Sequence, residues 1–186
     1  MTARPIPWWE PQIAGGEYAL VREVLDSNFL NDGEVTERFE RAIAELTGAR
    51  YAVGVTSGTA AIFLAIAALD IGPGDEVIVP DMTFIATANA VRLAGATPVL
   101  ADVDPLTLNL APAAVERVMT PRTRAIVPVH VSGRGADLQA LLALAEPRGI
   151  HIVEDAAETL CSVSRGRNLG TVGFAGCISF SPNKTV

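Results

Sequence analysis

The sequence predicts an α/β fold: a doubly wound, mostly parallel sheet flanked by helices. Three observations predict it. From Tyr51 onward, short apolar runs alternate with segments of helical periodicity. Turn residues fall between the two kinds of segment. Aromatic residues make up only 5% of the chain although 49% is hydrophobic, which suits strands buried on both faces and read as unbroken aliphatic runs.

Taken in order, residues 17–27 and 35–46 carry helical patterns, the second with Val35, Phe39, Ile43 and Leu46 on one stripe and charges between. A turn-rich loop over residues 28–33 separates them. The rhythm then changes. Residues 51–55 (YAVGV) read as a strand and 59–69 as a helix, followed by a strand at 76–80 (EVIVP) and a helix at 84–93. The series continues with strand 97–103, helix 113–119, strand 124–131, helix 137–146 and strand 150–155, and ends on a strand-like run at 176–181. Gly72-Pro73-Gly74-Asp75 and Asp104-Pro105 are turn signals, and Pro147 followed by Gly149 ends the helix before Ile150. Residues 1–50 are therefore set apart as an N-terminal helical segment, and 51–186 as the α/β unit. That unit stops five residues after its last strand, with no closing helix or polar tail, so it reads as cut off.

At roughly 150 residues per domain, 186 residues make about one domain. With 21 acidic against 14 basic side chains and a net charge of −7, no basic patch is available to neutralise phosphates, which argues against a nucleic-acid partner. Cys161 and Cys177 are too far apart for a CxxC metal or redox pair and too few for a disulfide framework, so no metal site is expected and a reducing, cytoplasmic setting fits. Residues 1–11 hold prolines, Trp8, Trp9 and Glu10 where an export signal needs a basic start and an apolar run. Residues 51–69 are uncharged, but their polar, glycine-punctuated middle suits a strand, a turn and a helix better than a membrane span.

In open α/β sheets ligands bind beyond the carboxyl ends of the strands, and four strand exits carry chemistry. At Ser57-Gly58-Thr59-Ala60-Ala61 small residues open a helix whose free N–H groups can hold an anion, although a serine N-cap is also an ordinary helix start. After EVIVP stands Phe84, able to stack on a planar cofactor or to fill the core. After residues 150–153 comes Glu154-Asp155-Ala156-Ala157-Glu158. An acid at the end of a buried strand is costly without a partner, which makes Asp155 the strongest single candidate, against a helix cap or a salt bridge. Ser179-Phe180-Ser181-Pro182-Asn183-Lys184 closes the set. A lysine past one strand and an aspartate past an earlier one are what pyridoxal phosphate chemistry requires: a Schiff base from the lysine, a carboxylate on the pyridinium nitrogen.

Together these residues resemble the DegT/StrS family of pyridoxal-phosphate-dependent nucleotide-sugar aminotransferases. The resemblance is carried by Phe39-Glu40, Ser57-Gly58-Thr59-Ala60-Ala61, Gly74-Asp75-Glu76-Val77-Ile78, Thr83-Phe84-Ile85-Ala86-Thr87, Gly95-Ala96-Thr97-Pro98-Val99, Val129-His130, Glu154-Asp155-Ala156-Ala157 and Ser179-Phe180. It implies the large domain of a fold type I aminotransferase, cut before a small C-terminal domain. It implies that Lys184 forms the Schiff base and shuttles a proton, that Asp155 keeps the pyridine nitrogen protonated, and that Phe84 stacks on the ring. Gly58, Thr59 and Ser179 would hold the phosphate, and Glu158 would meet the phenolic oxygen. Glu158 and Asn183-Lys184-Thr185 look like the subgroup that includes perosamine synthase. Lys184 separates the chain from the 3-dehydrases of the same family, which have histidine there.

The activity that the resemblance implies is amino transfer, from glutamate, to a nucleotide-linked keto-deoxy sugar at C4, in polysaccharide or antibiotic-sugar biosynthesis. A homodimer is expected, because such active sites are completed across one, and the 186 residues alone are expected to be inactive. Two alternatives stand beside this. One is another fold type I activity, such as lyase or epimerase chemistry on an amino acid, which also needs Lys184. The other is a non-catalytic or regulatory product, favoured by the end at Val186.

Overall fold

The computed structural model describes residues 13–184 together with Pro7 and Glu10. The reading of the amino terminus through Trp8 and Trp9, and the readings of Thr185 and Val186, lie outside the described residues. Helices α1 (Glu17–Ser27) and α2 (Glu34–Thr47) lead into α3 (Gly58–Ala67). Strand β1 (Glu76–Pro80), α4 (Ala86–Leu93), β2 (Thr97–Ala101), α5 (Pro112–Val118), β3 (Thr123–Ile126), α6 (Leu138–Ala145) and β4 (His151–Asp155) follow. A short hairpin of β5 (Val163–Ser164) and β6 (Arg167–Asn168) precedes β7 (Ala175–Cys177).

The main sheet has the order β2-β1-β3-β4-β7, and every adjacent pair in it is parallel. The expected parallel sheet flanked by helices is what the chain forms. Consecutive side chains of a strand point to opposite faces, and both faces are apolar here. Ile78, Ile126 and Ile152 pack with Leu110, Val115 and Leu141 on the side of α5 and α6. Val77, Val79, Val127 and Val153 pack with Ile62, Ile66 and Val91 on the side of α3 and α4. The strand order reverses direction at β1, with β2 on one side and β3 on the other, a topological switch point of the kind at which open α/β sheets bind ligands.

Five sequence expectations change, the first being that the strand-like run expected at 176–181 is regular only as β7, with residues 178–181 outside it. Residues 51–55 form no strand, and Tyr51 and Val53 are 73% and 78% exposed. A strand needs a neighbour; none is present beside this segment among the described residues, and the Gly54 N–H turns to Glu40 Oε1 on α2, at 2.6 Å. The strand expected over 124–131 is regular only to Ile126, because Pro128 has no N–H to give the ladder. The backbone nevertheless follows the sheet, with Val127 N–H donating to Ile78 O at 2.8 Å and Val129 bridging to Asp155. The run at 97–103 leaves the sheet after Ala101, and Val103 pairs with Leu110 instead. The β5–β6 hairpin was not expected; Arg165 and Gly166 at its turn both have positive φ, 51° and 77°, as a tight two-residue hairpin turn demands. No helix among the described residues is long and apolar enough to cross a membrane.

Candidate active site

The start of α3 is a serine-capped helix end. Ser57 is extended, and its Oγ accepts the Ala60 N–H at 3.1 Å, so it caps the helix while the first N–H groups keep no intrahelical partner. A Cβ on Gly58 would lie 3.2 Å from the Ser179 Cβ, tighter than packed side chains normally approach. Glycine therefore lets the helix end and the segment after β7 meet. Gly58 and Ser179 are brought together from positions 121 residues apart (179 − 58), with Thr59 on the same helical turn.

Asp155 ends β4 in the middle of the sheet, between the chain after β3 and β7, where it pairs with Cys177. It is buried. Its Oδ2 accepts the Thr87 hydroxyl at 2.7 Å, and among the described residues its Oδ1 receives only the Ala157 N–H, at 3.3 Å. Burial pushes the carboxyl above its ordinary range, against the opposing pull of Thr87, Ala157, Lys184 and His130. Burial and the neighbouring carboxylates of Asp155 and Glu154 in turn push the Cys177 thiol up to about 12. A carboxylate with few donors in a buried place is stabilised by a cation presented to it.

Lys184 follows β7 in a turn closed by its own N–H on Ser181 O, at 2.8 Å. Its Nζ lies 3.0 Å from Glu158 Oε1, and the other Glu158 oxygen accepts the Ser132 N–H at 2.8 Å. Ser132 has φ 51°, a region that residues with a side chain seldom enter. Burial works to raise the Glu158 carboxyl, but the Lys184 ammonium and the Ser132 N–H outweigh it and hold it low.

Phe84 lies between β1 and α4 and is 76% exposed, so it does not fill the core. Its carbonyl accepts the Thr87 N–H at 3.2 Å, which ties the ring's backbone to the residue that holds Asp155.

Three contributors, quoted above only as parts of motifs, were given no role by sequence reading. Glu154, next to Asp155 but on the opposite face, accepts His130 Nε2 at 3.0 Å and the N–H groups of Gly170, Val172 and Gly173 at 2.8, 2.7 and 2.7 Å. His130 Nδ1 accepts the Ala136 N–H at 3.1 Å, which leaves the ring proton on Nε2 for Glu154. Thr87 is the third; it sits in the first turn of α4 and Thr83 lies in the bend before that helix, so no helical spacing signalled the pair.

A parallel sheet whose carboxyl edge presents a buried acid, a lysine held by a second acid, and a serine-capped helix end is the layout of a coenzyme-binding α/β domain. Comparison with known proteins agrees. The chain belongs to the DegT/DnrJ/EryC1/StrS aminotransferase family, whose sequence profile matches residues 11–186. It is 44% identical over 181 residues to the spore coat polysaccharide biosynthesis protein SpsC of Bacillus subtilis, covering 97% of this chain and 46% of that protein. The structure of DesI in the presence of its TDP-sugar product is 39% identical, with a TM-score of 0.89, over 96% of this chain and 46% of DesI. Spr1654 from Streptococcus pneumoniae in its PLP-form gives a TM-score of 0.92 at 31% identity, over 96% of this chain and 50% of that one. The chain thus spans about half the length of the relatives it matches.

Proposed function

We propose that this chain supplies the cofactor-binding part of a pyridoxal-phosphate-dependent aminotransferase. The enzyme moves an amino group from glutamate onto the keto carbon of a nucleotide-linked keto-deoxy sugar, at C4. The observation that carries the reading is Asp155: a buried, under-hydrogen-bonded acid at a strand's carboxyl end, on the same sheet edge as Lys184.

The residues fit the cofactor at each end. The free N–H groups at Gly58 and Thr59, with the Ser179 hydroxyl against them, suit its phosphate. Asp155 suits a protonated ring nitrogen, Phe84 offers an exposed face for stacking, and Glu158 suits a polar group beside the lysine. When bound, the cofactor supplies an electron sink for the donor's Cα electrons. Lys184 Nζ then removes and returns the proton at the reacting carbon, and Glu158, 3.0 Å away, keeps that amine oriented. Asp155 holds the proton on the ring nitrogen.

The substrate class is drawn from the family and from the TDP-sugar product of DesI; C4 is drawn from Glu158 and Asn183-Lys184. Residues 1–50 serve as a leading helical segment and 51–186 as the cofactor-binding unit, in a cytoplasmic homodimer. The test is to incubate the full-length protein with pyridoxal phosphate, glutamate and a panel of nucleotide-linked keto sugars. Amination of a 4-keto sugar with release of 2-oxoglutarate is expected. Elimination or epimerisation of an amino acid, with no sugar aminated, would overturn the reading.

A further inference from the structure

Asp155 does not stand alone behind the sheet edge. Thr87 Oγ1 lies 2.7 Å from its Oδ2, and Thr83 Oγ1 lies 2.9 Å from Thr87 Oγ1. Thr87 and Asp155 are buried; Thr83 is half-buried. Each hydroxyl has one proton, and an ionised carboxylate can only accept. Thr87 must therefore spend its proton on Asp155 and accept one from Thr83, so the chain of donors has a single direction, from the half-buried end to the acid. A threonine in a helix ordinarily turns its hydroxyl to the carbonyl three or four residues back. Thr87, at the start of α4, points instead across to β4, 68 residues away in sequence.

We propose that Thr87, backed by Thr83, is a positioning residue for Asp155, fixing the carboxylate's orientation and keeping it ionised so that it meets a cationic ring nitrogen. The proposal rests on the proposed function, in which Asp155 pairs with the cofactor's nitrogen. The other donor to Asp155, Ala157 N–H at 3.3 Å, is weak, so Thr87 sets the carboxylate's plane. Lys184 and His130 favour its charge, while Glu154 on the same strand and Cys177 on β7 are its other titratable neighbours. None of these reaches Oδ2 with a neutral hydrogen bond as Thr87 does.

The test uses the full-length protein. In its cofactor-free form, the Asp155 carboxyl is followed by carbon NMR against pH. Thr87→Val should move the titration to higher pH, and Thr87→Ser should leave it where it is in the parent. In the loaded enzyme, Thr87→Val should lower kcat on the order of tenfold with KM for the donor little changed, the scale of one hydrogen bond to a charged group, and Thr87→Ser should recover it. Should the buried valine prevent folding, Thr83→Val removes the outer donor at a half-buried position and should move the titration in the same direction by less. An Asp155 titration unmoved in every folded variant that removes a hydroxyl would overturn the proposal. Asp155→Asn separates the two layers: with nitrogen-labelled cofactor, it should shift the ring-nitrogen resonance. If that resonance does not move, the reading of Asp155 itself fails. If it moves while Thr87 has no effect, only the proposal fails.

Discussion

Glu154 and Asp155 are consecutive on β4 and face opposite sides of one sheet. Both are buried acids, and their surroundings differ in one respect, the supply of donors. Glu154 meets four, three of them backbone N–H groups from the Gly170–Gly173 loop. Burial would raise its carboxyl, but His130 and those N–H groups together hold it below the ordinary range. Asp155 meets one hydroxyl and one long N–H contact, and burial wins. Glu154 thus ties the loop before β7 onto β4; a Cβ at Gly173 would come within 2.5 Å of Ile152 O, a measure of how closely that loop lies on the strand. Asp155 is left with capacity for a ligand. A buried acid marks function when its donors are missing, and architecture when they are present.

The largest effect should come from removing the amine proposed to react. Lys184→Ala in the full-length protein should abolish turnover and the visible absorbance of bound cofactor, and borohydride should then fix no cofactor to the chain. Lys184 is the single lysine in the 186 residues, so a reducible adduct in that variant would assign the role to a lysine outside them. Next is Asp155→Asn, which should keep the fold but slow proton removal from the donor by roughly 10²-fold, the scale of one lost electrostatic contact in a transition state. Unchanged single-turnover rates would remove Asp155 from the functional side of the comparison. Glu154→Gln belongs to the other side. It sets an amide NH2 against N–H donors and should destabilise the fold by about 2–3 kcal/mol in urea unfolding, the scale of buried donors left unpaired. Smallest is Ser57→Ala, which removes only a helix cap and should cost about 1 kcal/mol in urea unfolding, with cofactor affinity little changed.

The sheet was legible because buried parallel strands are written as aliphatic runs, and EVIVP and IHIVED became β1 and β4 with little change. Residues 51–55 are written the same way, yet a run of apolar residues states only that a segment wants a neighbour; pairing depends on the neighbour being there. Asp155, Lys184, Gly58 and Ser179 were legible as candidates because each follows a strand or opens a helix. Glu154 sat in the same motif and was passed over, since its donors come from a loop 16 to 19 residues further on and from His130, which no local pattern connects to it. Thr87 was hidden for a similar reason: its partner is 68 residues away.

The two acids also predict opposite dependences on pH. The folded-state carboxyl of Glu154 lies below its ordinary range, so its contribution to stability is present at neutral pH and is lost as pH falls through that lowered value. For Asp155 the folded-state carboxyl lies above the ordinary range, so folding favours the protonated form, and stability is lost as pH rises from the ordinary aspartate range through the raised value. The most direct test is the melting temperature of the cofactor-free protein at neutral pH, compared among the parent, Glu154→Gln and Asp155→Asn. Glu154→Gln should melt lower than the parent and Asp155→Asn higher, the second difference shrinking in acid below the ordinary aspartate range. If both variants melt lower by similar amounts, Asp155 is a structural acid like its neighbour, and the division of labour across β4 is wrong.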